Sequence, residues 1–104
     1  MKLYINNEQT AKLIELGFEK PEGSHSYWRG NGLIINTNYS IGELIEMLPE
    51  SASQRLRYVA TKRAWIVDVD MLGKQGKCHR GIYYAELVDA LYDMVIKLKE
   101  EGVI

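Results

Sequence analysis

The sequence predicts an α+β domain with an antiparallel sheet of two hairpins and three helices, in the order helix-hairpin-helix-hairpin-helix. Two segments in which apolar and polar residues alternate around a turn signal indicate the hairpins, and three segments with apolar residues at helical spacing indicate the helices. A chain of 104 residues is typical of one domain, so we take residues 1–104 as a single unit. We expect the helices to lie mainly on one face of the sheet.

The first helix is predicted to begin near Asn6 or Asn7, because either side chain can accept a hydrogen bond from an amide of the first turn. Gly17 and Phe18 indicate where it ends. Gly17 is expected in the left-handed conformation, with Phe18 folded back onto the helix.

The second helix carries signals at both of its ends. Ser40 and Glu43 form a predicted capping box, and Pro49 ends the helix because it disfavours helical geometry in the residue before it. The last helix is predicted from about Tyr83 to Glu101, where an apolar stripe is followed by a stop signal at Gly102.

The first hairpin is predicted between Ser24 and Thr37, with Asn31 and Gly32 as a tight turn in which both residues have positive φ. This loop predicts two pairs of opposed residues: Trp28 with Ile35, and Arg29 with Ile34.

The second hairpin is predicted over residues 54–71, and the alternation of its side chains fixes the parity of its register. The preferred register gives two apolar pairs on one face: Tyr58 with Val67, and Leu56 with Val69. It gives two cross-strand ion pairs on the other face: Arg57 with Asp68, and Arg55 with Asp70. The turn over residues 61–64 contains neither Gly nor Asn, so a longer loop is an open alternative.

The net charge of −1 hides an uneven distribution along the chain. The segment from Gln54 to Gly81 carries seven Lys or Arg and two Asp, a net charge of +5, while the segments before and after it each sum to −3. This pattern excludes a uniformly basic protein, and it makes one anion-binding face the alternative to a solvated turn and loop. Five of these cations are not needed for the ion pairs and are the candidate contacts to phosphate or nucleic acid: Lys62, Arg63, Lys74, Lys77 and Arg80.

The glycine-rich basic loop over residues 72–81 resembles a phosphate cradle only superficially. The P-loop pattern fails because Met71 stands where its first glycine is required and Cys78 where Ser or Thr is required. We interpret the loop as a solvated connection, with anion binding as the alternative.

The chemistry-bearing residues do not form a catalytic or metal-ligating pattern. Cys78 and His79 are adjacent rather than at ligand spacing, and a single cysteine excludes a disulfide framework. Asp68 and Asp70 are better explained as ion-pair partners than as catalytic acids. The sequence therefore predicts no enzyme, no catalytic residue, no metal site and no cofactor.

The sheet face away from the helices is expected to carry Ile34, Val59 and Ile66. An apolar patch on an open sheet face is typical of a dimer or of a partner-binding surface. Four strand aromatics are interpreted as core or interface residues: Tyr27, Trp28, Tyr58 and Trp65. The leading hypothesis is a small non-enzymatic binding protein that acts through a protein partner or as a homo-oligomer, and the alternative is weak nucleic-acid binding.

No apolar run approaches the roughly 18 residues of a membrane span, and the N-terminus lacks the apolar segment of a signal peptide. These features predict a cytoplasmic protein with no membrane partner.

Three segments resemble a group of small, uncharacterised proteins encoded by phages, prophages and mobile elements of gut bacteria: residues 11–18, 39–49 and 86–92. They share with that group a helix ending in Leu-Gly-Phe, a helix that starts at Ser-x-Gly and ends in Leu-Pro, and a closing helix rich in Leu, Ala and Tyr. The resemblance implies a mobile-element origin, a bacterial cytoplasm and an accessory role. It carries over no catalytic residue.

Overall fold

The computed structural model describes residues 1–21, 25–29, 32–36, 38–49, 52–71 and 78–104, and it describes 25–29 and 32–36 by their backbone. This part of the chain contains α1 (Asn7–Glu15), β1 (His25–Arg29), β2 (Gly32–Asn36), α2 (Ile41–Glu46), β3 (Ala52–Val59), β4 (Ala64–Met71), β5 (Cys78–His79) and α3 (Leu87–Glu100). β3, β4 and β5 form an antiparallel sheet in that order. The predicted α+β class, with three helices and an antiparallel sheet, is confirmed.

β1 and β2 form a two-stranded sheet of their own, so the described strands do not make the predicted single sheet of two hairpins. Their register also differs from the prediction by two positions, because Trp28 lies opposite Leu33 and Arg29 lies opposite Gly32. The predicted loop is wrong because Gly32 already belongs to β2. The parity of the pairing is unchanged, since a shift of two residues exchanges partners without exchanging faces.

The β3–β4 register is also two positions from the preferred prediction, with Leu56 opposite Val67 and Tyr58 opposite Trp65. The parity was predicted correctly. The loop is longer than a two-residue turn because it runs from Ala60 to Arg63, the residues between the last pair of the two strands. Arg63 takes the left-handed conformation with φ of 48°. Two-residue hairpin loops of the I′ type need positive φ at both central residues, which Lys62 and Arg63 do not favour.

β5 lies within the segment that was predicted to be a solvated loop. His79 pairs with Val69, and further along the same edge Tyr84 exchanges two backbone hydrogen bonds with Trp65. From His79 to Tyr84 the chain advances by five residues, whereas β4 advances by only four between their partners, Val69 and Trp65. The edge therefore carries one residue more than β4 over this stretch. Residues 80–83, which include Gly81, leave the regular ladder to accommodate it, and we call this irregular segment the bulge.

α1 and α2 begin where their capping signals predict. Asn6 accepts from the backbone N–H of Gln9 at 2.8 Å, and Ser40 accepts from that of Glu43 at 3.2 Å, each within a complete capping box. At the end of α1, Gly17 has φ of 101°, and the chain turns back as predicted.

α3 begins at Leu87, four residues later than predicted. Tyr84 cannot enter the helix because its N–H and C=O are both bonded to Trp65. The predicted stop is confirmed, since α3 ends at Glu100 and the N–H of Val103 bonds the carbonyl of Leu98.

The core lies between α3 and one face of β4. Val67, Val69, Val88, Leu91 and Val95 are fully buried there, in one apolar cluster that also includes residues of α1 and α2. α2 packs on α3, and Tyr39 just before α2 donates its hydroxyl to the carbonyl of Glu19. No helix in the described part of the chain combines the length and apolar character needed to cross a bilayer.

Candidate functional site

The face of the three-stranded sheet that points away from α3 collects most of the predicted site residues. We call it the outer face. Its members are the even-numbered residues of central strand β4, the neighbouring side chains on either side, and the hairpin turn: Arg55, Arg57, Lys62, Arg63, Ile66, Asp68, Asp70, Cys78, Arg80 and Tyr83. The opposite parity of β4, with Val67 and Val69, enters the core.

Both predicted ion pairs are present on the outer face, but their geometry is diagonal. Arg55 Nη2 lies 2.6 Å from Asp70 Oδ2, and Arg57 Nη2 lies 3.3 Å from Asp68 Oδ2. In the backbone register Arg55 lies opposite Asp68, so each arginine reaches two residues along the partner strand. Long side chains span such diagonal positions readily. The prediction of the partners is therefore confirmed, while the prediction that they lie directly opposite is wrong.

Asp68 is the most buried charged group of this face. Its side chain is 8% exposed, and its second oxygen accepts the backbone N–H of Gly81 at 3.2 Å. That N–H lies in the bulge, where it has left the regular ladder. Asp68 thus joins Arg57 to the bulge and holds the irregular edge in place.

Asp70, Cys78 and Arg80 form a polar cluster at the far end of the outer face. A hydrogen bond from the Cys78 thiol, together with the charges of Arg55 and Arg80, holds the pKa of Asp70 below its ordinary value. The same hydrogen bond raises the pKa of Cys78, with partial desolvation of the thiol adding to the shift and Arg80 opposing it. The thiol is therefore kept protonated, which makes it a weak nucleophile.

Lys62 contacts Tyr83 at the hairpin turn, which also contains Arg63. Lys62 Nζ lies 4.7 Å from the centroid of the Tyr83 ring, within cation–π range, and Tyr83 is 41% exposed. Sequence reasoning missed Tyr83 because it was assigned to the last helix. No local signal identifies it, since its position depends on the Tyr84–Trp65 pairing.

The structure describes three of the five predicted anion contacts. Lys62, Arg63 and Arg80 lie on the outer face, whereas Lys74 and Lys77 lie outside the described residues. In the part of the chain that the structure describes, no carboxylate lies within ion-pair distance of Lys62, Arg63 or Arg80.

Cys78 and His79 lie on opposite faces of β5, because successive strand residues point in opposite directions. Cys78 is exposed, whereas His79 is 3% exposed and its Nδ1 lies 2.8 Å from Glu101 Oε2 beyond the end of α3. The interpretation of residues 72–81 as a solvated connection is wrong at His79, since pairing with β4 buries this residue. The described residues include no group of three or more His, Cys, Asp or Glu side chains arranged to hold a metal ion.

The expected apolar patch is not exposed where it is described. Ile66 is only 7% exposed and Val59 is half-buried, while the side chain of Ile34 lies outside the described residues. On the other face, Tyr58 packs against Trp65 with ring centroids 5.3 Å apart and keeps 51% of its surface exposed. The exposed tyrosine thus lies on the outermost strand of the sheet, while Trp65 packs against the core as predicted.

An open groove of about 280 Å³ lies between the bulge and α3, beside the outer face. Arg80 and Lys97 line it together with Asp93 and Glu100, so its charges are balanced. Lys97 donates to the carbonyl of Arg80 at 3.0 Å, which ties the bulge to the helix. We assign the groove a structural role.

Comparison with protein-family models, with curated proteins and with solved structures gave no match to this chain.

Proposed function

We propose that this chain is a non-enzymatic binding protein whose outer face holds an anionic partner. The observation that carries the proposal is the set of three cations, Lys62, Arg63 and Arg80, that share this face and have no described carboxylate within ion-pair distance. Exposed cations with no carboxylate within ion-pair distance attract anions from solution.

The local charge supports the same conclusion. The outer face carries five described cations and two carboxylates, a net charge of +3 on a chain whose formal net charge is −1. Arg55 and Arg57 remain 56% and 58% exposed although each has an ion-pair partner, so their guanidinium groups can still contact a ligand. Arginine is well suited to this use, because its planar donor fork matches both carboxylate and phosphate.

A binding role fits the site better than catalysis does. Cys78 has a raised pKa and points away from His79, so the two residues cannot act as a nucleophile and its base. Asp68 accepts hydrogen bonds from Gly81 and Arg57, and Asp70 accepts them from Arg55 and Cys78. Both carboxylates thus have structural partners.

We favour an acidic protein segment as the anionic partner, because the outer face adjoins an open strand edge. The homo-oligomer remains a prediction from the sequence, and Ile66, one of the three residues of its expected apolar patch, is buried. Nucleic acid is the second candidate, and the exposed Tyr83 ring beside Lys62 favours it because such rings can stack on bases. The accessory role in phages or mobile elements and the cytoplasmic location remain predictions from the sequence.

The proposal is tested by fluorescence anisotropy with four labelled probes: poly-glutamate, single-stranded DNA, double-stranded DNA and RNA. We expect binding of at least one probe at about 50 mM salt and much weaker binding at about 200 mM, because contacts between exposed charges are screened. The variant K62E/R63E should lose that binding.

The matched control is K12E/K20E, which makes the same change in net charge at two exposed lysines of the α1 region. This control should bind like the original protein. No binding to any probe at low salt, or equal losses in the two double variants, would contradict the proposal.

A further inference from the structure

We infer that the free edge of β3 accepts an extended acidic segment of another protein as a fourth strand of the sheet. The inference rests on the proposed function and names the partner of that same surface. Strand addition of this kind uses main-chain hydrogen bonds for affinity and alternate side chains for specificity.

The first observation is the edge itself. β3 spans eight residues, Ala52–Val59, and pairs with β4 over its whole length. No strand in the described part of the chain pairs with its other edge. Eight residues extend about 26 Å, which is longer than most strands. Alternate residues direct their N–H and C=O groups towards the open edge, where they form a template for another chain.

The second observation is the pattern of side chains along this edge. Arg55 and Arg57 stand on the outer face, and both are more than half exposed. Leu56 and Tyr58 stand on the other face, with Tyr58 51% exposed. An added strand places its own alternate residues beside these, so acidic residues next to the arginines and apolar residues next to Leu56 and Tyr58 are favoured. The edge therefore matches a segment in which acidic and apolar residues alternate.

The same pattern disfavours a second copy of this chain. When two β3 strands pair antiparallel with their outer faces on the same side, odd-numbered residues lie opposite odd-numbered residues. The central registers then place Arg55 opposite Arg57, or one of these arginines opposite itself. Like charges in directly opposed positions destabilise a strand pair, and charged edge residues are a known protection against self-association.

The test uses the intact protein and synthetic peptides of about ten residues, long enough to cover the strand. The first peptide alternates Glu with Val, a second replaces Glu by Lys, and a third has the composition of the first with its glutamates in one block. Two further peptides keep the alternating Glu-Val sequence and carry N-methyl groups either on every Glu or on every Val. In an added strand only every second backbone N–H points towards β3. Only one of the two N-methylated peptides therefore lacks the N–H groups that would donate hydrogen bonds to β3.

We expect the alternating acidic peptide to bind, and the Lys and block peptides to bind much more weakly. One of the two N-methylated peptides should bind at least about tenfold more weakly than the unmethylated peptide, since several hydrogen bonds to β3 are lost. The other N-methylated peptide should bind as tightly as the unmethylated one. Amide hydrogen exchange should slow at alternate residues of β3 in the complex. The variant R55Q/R57Q should bind the acidic peptide weakly, with K12Q/K20Q as the control of equal charge, after thermal unfolding has verified that both are folded.

Several outcomes separate this inference from the proposed function. If both methylated peptides and the block peptide bind as well as the first, or if only nucleic acid binds, the outer face still holds anions but the strand inference is overturned. If no polyanion and no peptide binds, both the strand inference and the proposed function are contradicted. A homodimer whose β3 amides are protected from exchange would also overturn the inference, because the edge would then be occupied by a second copy.

Discussion

Gly81 is the position at which the smallest change is expected to have the largest effect. A Cβ atom added there would lie 2.3 Å from the carbonyl oxygen of Val67 and 3.3 Å from its carbonyl carbon. Both atoms belong to the backbone of the central strand, so no side chain can rotate away. The backbone of Gly81 is not in the left-handed region, and the expected cost of Gly81→Ala is therefore steric.

The magnitude follows from the cost of forcing extra atoms into a packed region, about 1–3 kcal/mol. For a domain of this size, each ~1 kcal/mol lowers the melting temperature by about 4–8 °C. We therefore expect a decrease of about 10 °C in Tm for Gly81→Ala, measured by circular dichroism or calorimetry. Hydrogen exchange should also become faster at the backbone amide of residue 81, which donates its hydrogen bond to Asp68.

The matched control is Gly42→Ala, which makes the same chemical change in α2. The nearest atom to the added Cβ would be Ser40 Oγ at 3.9 Å, an ordinary contact. Alanine is favoured over glycine in a helix by about 0.5–1 kcal/mol, so this variant should be as stable as the original or more stable. A Gly81→Ala protein with an unchanged Tm, or equal shifts for the two variants, would refute the close approach of Gly81 to Val67.

Three further predictions concern the carboxylates and the thiol of the outer face. Asp68→Ala should lower the free energy of unfolding by about 1–3 kcal/mol, because it leaves the Gly81 amide without its acceptor, and urea titration measures this loss. Asp70→Asn should speed the reaction of Cys78 with a disulfide reagent near pH 8, because the carboxylate raises the pKa of the thiol. Arg80→Gln should slow the same reaction, because Arg80 lowers that pKa. Equal rates in the two variants would contradict the interaction of Asp70 and Arg80 with Cys78. The folded state holds the pKa of Asp70 below its ordinary value, so the stabilising contribution of Asp70 is present at neutral pH and is lost as the pH falls through the folded pKa. The difference in unfolding free energy between the original protein and Asp70→Asn should therefore shrink in acid, as measured by urea titration at several pH values.

The helix caps were predictable because each depends on a few consecutive residues. The Asn6 and Ser40 capping boxes close within three residues, and the turn at Gly17 requires a conformation that glycine adopts without strain. Such signals need no knowledge of the rest of the fold. The Ser40 capping box and the Gly17 turn lie where they were predicted, and Asn6 is the cap among the two residues predicted for α1.

The registers of both hairpins were predicted with the correct parity and a shift of two positions. Parity follows from the alternation of side chains, which the sequence displays directly. The remaining choice depends on the position and the length of the loop. In the first hairpin Gly32 pairs with Arg29 instead of lying in the loop, and in the second hairpin four residues, Ala60–Arg63, separate the last paired residues where a tight turn leaves two. The ion pairs of Arg55 and Arg57 survived this error because their side chains are long enough to reach the diagonal carboxylates.

The sequence alone determined the α+β class, the capped helices, the two carboxylate–arginine pairs and the concentration of positive charge in the middle of the chain. Only the tertiary structure decided that Cys78 and His79 form a strand, that Tyr84 belongs to a sheet edge rather than to α3, and that Ile66 is buried. The physical reason is the range of the interactions. Caps and alternation act between neighbours in sequence, whereas the edge partner of β4 and the free edge of β3 are set by contacts between residues that the sequence places far apart.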